Sequence, residues 1–265
     1  MSARWALDVG GVTVALAGPA ARIAPFADAW DDWTGADASW TAALIEDATL
    51  PAPAGPYFAA RPRFRTGRCV LATGGFQGEI TPDDRTAALR FHPAATDGDV
   101  AYFLRTVFAL AAFEQGAVLF HAAGIVHHEA AYCLFGHSGS GKTTASRLST
   151  GKPVLSDDLL LLAPAEEGVE VWATPFGRRR QPDLRVAPLR ALLRLVQAPE
   201  DRLAPLPRGE ALAALIANSP VINADAGRVP PLMEAWAAML SRVPAQRLHF
   251  RKSNTFWEVI DAHFG

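Results

Sequence analysis

The chain is 265 residues long, 50% hydrophobic and 20% charged, with a net charge of −2. Such a chain can bury a substantial core, which excludes a disordered protein and leaves one large domain or a domain with a smaller appendage. The near balance of charge, with Arg178, Arg179 and Arg180 as the only tight basic run, excludes a general attraction to nucleic acid. Residues 1–97 have the texture of a β-rich region with long connections. Residues 5–17 alternate loosely around Gly10 and Gly11, as a hairpin or a bent strand would, and 69–73 and 87–92 read as further strands. The Pro-, Gly- and Ala-rich stretch 50–62 reads as loop. Trp30, Trp33 and Trp40 stand among Asp28, Asp31, Asp32 and Asp37. Such a cluster can bind a ligand or a partner, but aromatic side chains anchoring a loop on a sheet are the commoner reason for it.

From Gly98 the pattern changes. Residues 98–265 are expected to form a catalytic region, with 1–97 packed on it. Val100, Phe103, Leu104, Val107, Phe108, Ala111 and Ala112 recur at helical spacing after Asp97 and Asp99, and Gly116 is placed to end that helix. Strands over 117–126 and 130–135 follow, joined by a polar turn of His127, His128 and Glu129. Two adjacent turn histidines with no third ligand nearby read as solvated rather than metal-binding. Beyond the phosphate-loop region, 159–162 reads as a structural strand, while 189–196 and 210–217 are short apolar elements separated by 199–208. Leu232, Ala235, Trp236, Met239 and Leu240 form one face of a helix opened near Pro230 and Pro231, and 247–250 adds an edge strand. Trp236, Phe256 and Trp257 read as core rather than as stacking partners for a base.

The most informative segment is Gly136, His137, Ser138, Gly139, Ser140, Gly141, Lys142 and Thr143, which fits G-x-x-x-x-G-K-[ST] between the apolar run 131–135 and a helix opened by 143–149. Gly136, Gly139 and Gly141 let the backbone turn tightly, so that consecutive amides form a nest around an anion. Lys142 would reach the β- and γ-phosphate oxygens, and the Thr143 hydroxyl would ligate Mg²⁺. Thr144 closes the segment expected to bind Mg-ATP. Fifteen residues after Lys142 come Asp157 and Asp158, preceded by Val154, Leu155 and Ser156. Adjacent carboxylates at a strand end beside a phosphate loop can hold Mg²⁺ and accept the proton of an attacking hydroxyl. This short spacing, and the lack of an N-K-x-D sequence, disfavour a GTPase.

The order and spacing of Phe120, His121, Ala122 and Ala123, then Phe135 to Thr144, then Leu155, Ser156, Asp157, Asp158 and Leu159 resemble the catalytic core of HPr serine kinase/phosphorylase and its relatives. The close resemblance covers about 60 residues, 117–175; 188–195 and 247–257 resemble C-terminal portions of HPr kinase-related proteins more loosely. It implies an α/β fold with a phosphoenolpyruvate carboxykinase-like P-loop core, a mixed sheet and flanking helices, preceded by the β-rich region. It also implies transfer of a phosphoryl group from ATP, with Mg²⁺, to a hydroxyl. Asp157 is then the expected base, Asp158 a Mg²⁺ ligand with Thr143, and His121 a group that bonds the transferring phosphoryl or an aspartate. The Glu-Ile-Arg-Gly signature of HPr kinase proper is absent. Its place is taken by Thr174, Pro175, Phe176, Gly177, Arg178, Arg179 and Arg180, in which Arg178 or Arg179 could clamp the γ-phosphate.

The expected acceptor is a Ser or Thr hydroxyl of a protein or peptide. A small-molecule kinase and a non-catalytic ATP sensor stay open, as does a homo-oligomer. Cys69 and Cys133 lie far apart with no C-x-x-C pair, so a cytoplasmic setting is expected. Arg4 and Asp8 interrupt what would be the apolar core of a signal peptide, and charged and glycine residues break the apolar stretch 102–120, so no membrane association is expected.

Overall fold

Strand β1 (Ser2–Val9) pairs antiparallel with β2 (Val12–Pro19) across Gly10 and Gly11, whose φ values of 60° and 81° supply the two-residue turn expected there. They open a computed structural model that describes residues 1–55, 60–177 and 183–265. Helix α1 (Ala20–Ala29) then carries the chain to β3 (Trp40–Glu46), which is parallel to β2. A parallel neighbour requires such a crossover. The helix was not foreseen, because it holds Pro25 and buries only Ile23 and Phe26, a signal too sparse to read as a face. Strands β4 (Arg63–Arg65), β5 (Arg68–Thr73), β6 (Phe76–Thr81) and β7 (Thr86–Phe91) complete a mixed sheet in the order β1-β2-β3-β7-β6-β5-β4. The described part of 50–62 has neither helix nor strand.

Helix α2 (Asp97–Glu114) packs on β2 and β3. Its start is a capping box: Thr96 Oγ1 accepts from Asp99 N while the Asp99 carboxylate accepts from Thr96 N, and the C-terminus reaches Gly116 at φ 78°. The tryptophan cluster is packing. Trp33 and Trp40 are buried, Trp30 lies 5.2 Å from Phe26 and 6.1 Å from Trp5, and Trp5 Nε1 donates to Thr34 Oγ1 at 2.9 Å. The chain divides into the units Met1–Gln115 and Gly116–Gly265, one helix later than the change in sequence texture at Gly98.

In the second unit β8 (Val118–His127) and β9 (Ala130–Phe135) form an antiparallel hairpin turned by His128 and Glu129 at φ 49° and 61°. After α3 (Lys142–Leu148), β10 (Val154–Ser156) and β11 (Leu159–Pro164) both pair antiparallel with β8, and β12 (Val169–Ala173) follows. The long β13 (Val186–Gln197) joins the halves of the sheet, antiparallel to β12 but parallel to β9 and to β15 (Ala245–Phe250). Before β15 come β14 (Arg202–Pro205), α4 (Arg208–Ala217) and α5 (Val229–Leu240); α6 (Phe256–Phe264) ends the chain.

The expected edge strand at 247–250 is a correction: β15 lies between β13 and β14, and β14 falls within the segment read as a separator. The four residues of β14 are too few to show a period. The core was better legible. Trp236 and Phe256 are fully buried and Trp257 nearly so; Trp236 lies 4.9 Å from Phe120, and Trp257 shares a cluster with Leu134, Leu193 and Phe250. Each indole N–H has a buried serine, Ser219 for Trp236 at 2.9 Å and Ser149 for Trp257 at 3.0 Å. The protein is thus mixed α/β, with two mixed sheets and, among the described residues, six α-helices, none long and apolar enough to cross a membrane.

Candidate functional site

Strands β9, β13 and β15 run parallel, so Phe135, Gln197 and Phe250 bring their carboxyl ends to one edge of the sheet. In open α/β sheets ligands bind outside such ends. The segment 136–141 leaves β9 there and turns directly into α3. Glycine is required at 141 on two counts: its φ is 107°, and a Cβ would lie 2.5 Å from the Phe250 ring at the end of β15. The close packing of loop on ring fixes where the following Lys142 begins.

Lys142 is 8% exposed, and its Nζ donates to Gly136 O at 2.8 Å and His137 O at 3.3 Å. Among the described residues its ammonium therefore bonds loop carbonyls rather than a carboxylate. Burial holds its pKa below the ordinary lysine value, partly offset by the charge of Asp158. Ser140 Oγ is buried with no hydrogen-bond partner, a cost of about 1–3 kcal/mol unless a ligand meets it. An orphaned hydroxyl, a buried cation and a glycine-rich turn of backbone form a donor set that fits a phosphate.

The aspartates are set by Ser156. Val154 pairs with Ile125, Ser156 with Gly124, and Leu159 with His121, so Asp157 and Asp158 occupy the interruption between β10 and β11. Ser156, fully buried, accepts on Oγ from the backbone N–H of Asp158 and of Leu159, both at 3.3 Å. Asp158 O still accepts from Ala122 N at 3.0 Å, keeping the turn stitched to β8. Gly177 stands against it, where a Cβ would meet Ser156 Oγ at 2.2 Å. From β8, His121 Nε2 approaches Asp158 Oδ1 at 3.2 Å, both side chains half-exposed. Carboxylate and hydroxyl oxygens from Asp157, Asp158 and Thr143 are hard donors of the kind Mg²⁺ takes.

A cavity of about 310 Å³ is lined by His121, Ser138, Gly139, Lys142, Thr143 and Thr144, together with Gly141, Gln197 and Lys252. The structure thus gathers His121 and the loop residues, with Asp158 3.2 Å from His121. Arg178 and Arg179 lie outside the described residues. Gln197 and Lys252 were missed. Gln197 Nε2 donates to Gly139 O at 2.9 Å, tying β13 to the loop, and Lys252 follows β15. Gln197 sits in no motif and Lys252 only within the loosely resembling stretch 247–257; the parallel register brings both here. A second cavity of about 500 Å³ shares Gly139 and Gln197 and adds His137, Ser140 and Arg194. Beside it, Arg194 of β13 and Arg247 of β15 both grip Glu210 of α4, and the hydrogen bond from Arg247 is the main cause of its lowered pKa. A larger cavity, about 550 Å³, lies at the far end of β8 beside His127 and His128. Its size does not outweigh the chemistry gathered around Lys142.

No family model matches this chain, and no curated protein matches it. Among solved structures, the HPr(Ser) kinase/phosphatase from Coxiella burnetii is similar at 12% identity, with 55% of this chain and 95% of that chain covered and a TM-score of 0.32. A likeness that weak transfers neither fold nor activity.

Proposed function

We propose that this protein is a kinase that binds Mg-ATP at 136–144 and transfers the γ-phosphoryl group to a hydroxyl, most readily that of a Ser or Thr in a protein or peptide. The observation that carries the proposal is the buried Lys142 ammonium, bonded to its own glycine loop, with the His121–Asp158 pair in the same region of the sheet edge. Among the described residues this cation is bonded by loop carbonyls, with Asp158 acting on it only through its charge, and a nucleotide phosphate would exchange with the Gly136 and His137 carbonyls at little structural cost.

Within this reading each residue has a separate task. The loop amides and Ser140 hold the phosphate chain, and Lys142 follows the charge onto the transferring oxygens. Mg²⁺, held by Thr143 and Asp158, would supply further charge for the phosphate oxygens. His121 fixes the orientation of Asp158 through its 3.2 Å contact. Asp157 accepts the proton of the acceptor hydroxyl, a role that typically contributes ~10²–10⁴-fold. The second cavity has room for the nucleoside. Cys69 and Cys133 are both buried and in no disulfide, which supports a reducing, cytoplasmic setting.

The test incubates γ-labelled ATP and Mg²⁺ with an extract of the source cells and either the wild-type protein or Asp157→Asn. Label in a protein or peptide band with the wild type alone supports the proposal. Label in a metabolite would replace it with a small-molecule kinase, and binding without any transfer would replace it with a nucleotide sensor.

A further inference from the structure

Away from the loop, the turn between β8 and β9 supplies what the sequence did not offer its two histidines: a third ligand. Asp261 of α6, 134 residues beyond His127, has Oδ1 2.6 Å from His127 Nε2 and 3.7 Å from His128 Nε2. Adjacent residues on a regular strand point to opposite faces. Here His127 is the last residue of β8 and His128 has φ 49°, so the backbone reverses and the two rings lie 3.9 Å apart at 35°. Asn or Gly would take that turn position at less cost. His127 is also braced edge-on by Trp257 at 5.0 Å, which fixes one ligand before any ion arrives.

We propose that His127, His128 and Asp261 form a binding site for a divalent transition metal of the zinc type. Among the described residues these three donors form the one group with all ligand atoms within 4.8 Å of one another. Zinc–nitrogen and zinc–oxygen bonds are about 2.0–2.2 Å, so closing the triangle on an ion takes side-chain shifts on the order of 1 Å. His128, 68% exposed, is free to make most of that movement. Two imidazoles and one carboxylate suit Zn²⁺, Co²⁺ or Ni²⁺ and disfavour Mg²⁺, which takes oxygen ligands. His127 and His128 also line the large cavity together with Glu129 and Lys152, from which water could complete the shell. The ion would tie the β8–β9 turn to α6, and this site is independent of the nucleotide reading.

The experiment uses the full chain, stripped with a chelator and titrated with Co²⁺ and then Zn²⁺ in the presence of excess Mg²⁺. Expected are one equivalent of tightly bound ion, a visible Co²⁺ spectrum indicating nitrogen ligation, and a higher melting temperature. His128→Ala and Asp261→Asn should each weaken binding by more than the ~10–100-fold that loss of an outer-shell partner costs. His128 is exposed, so its variant should fold normally. His121→Ala and Asp158→Asn should leave the equivalent intact. Absence of stoichiometric binding, or binding that His128→Ala leaves unchanged but His121→Ala or Asp158→Asn removes, would overturn the proposal.

Discussion

Among the described residues of the unit Met1–Gln115, the buried polar side chains are Asp99 and Thr106, and both serve the helix that bears them. Asp99 closes the capping box, and Thr106 Oγ1 donates to Tyr102 O at 3.0 Å. In the unit Gly116–Gly265 eight are buried: Ser140, Lys142, Ser146, Ser149, Ser156, Thr174, Asn218 and Ser219. Ser140 and Lys142 lie in the glycine loop, Ser156 sets the aspartate turn, and Ser149 and Ser219 accept from the indole N–H groups of Trp257 and Trp236. Burying polar atoms is unfavourable unless each is met by a partner. The first unit therefore reads as a structure specified by apolar packing, and the second as one that retains polar burial where side-chain positions matter.

The strongest way to break that contrast is chemical. Lys142→Ala or Asp157→Asn should lower phosphoryl transfer by about 10²–10⁴-fold, read with labelled ATP, while the circular dichroism spectrum stays that of the parent. Full transfer by either would remove the chemical reading of the second unit. In the first unit the counterpart is mechanical: Trp40, 1% exposed in β3, should cost roughly 3–5 kcal/mol on truncation to Ala, read by denaturant unfolding. A loss well under 1 kcal/mol would mean that the sheet does not depend on that packing.

Gly141→Ala combines both kinds of effect. Positive φ and the clash with Phe250 should cost about 1–3 kcal/mol and displace the loop, so nucleotide affinity should fall with stability. Retained affinity at lowered stability would separate the loop from the ligand.

A smaller effect concerns pH. Because burial lowers the Lys142 pKa in the folded state, protonation there opposes folding. The penalty is full below the folded pKa, shrinks as pH rises toward the unfolded value of about 10.4, and is gone above it. Lys142→Met should therefore raise the melting temperature near neutrality and lose that advantage in alkali. An advantage that grows with pH would contradict the sign. Smallest of all, Arg68→Ala should change stability by at most about 1 kcal/mol, since its 2.6 Å pair with Glu79 is exposed on both sides.

How far the site was legible follows from where its residues sit in the chain. The loop and the aspartate pair are contiguous, so spacing alone exposed them. Gln197 and Lys252 enter through strand register; no local pattern marks Gln197, and the loose resemblance over 247–257 does not single out Lys252. The same holds for the histidine turn: reading it as solvated was sound on the local sequence, and Asp261 arrives only because α6 folds back beneath the hairpin. In the fold, α2 was legible from a long apolar face and a terminal glycine. Helices α1 and α6 were not, since one buries two residues around a proline and the other spans nine residues at the chain's end.

By itself the sequence determined what is local. It set the hairpin at Gly10 and Gly11, the capped helix α2, the strand–loop–helix passage through Lys142, and the turn at Asp157 and Asp158. These follow from backbone freedom, capping and short-range periodicity, which act over a few residues. The tertiary structure alone decided that β15 is internal, that β9, β13 and β15 end at one edge, and that His121 meets Asp158 and Asp261 meets His127. Those contacts depend on which strands pair and in what register, and that choice is made by burial of the whole apolar set at once rather than by any short segment of chain.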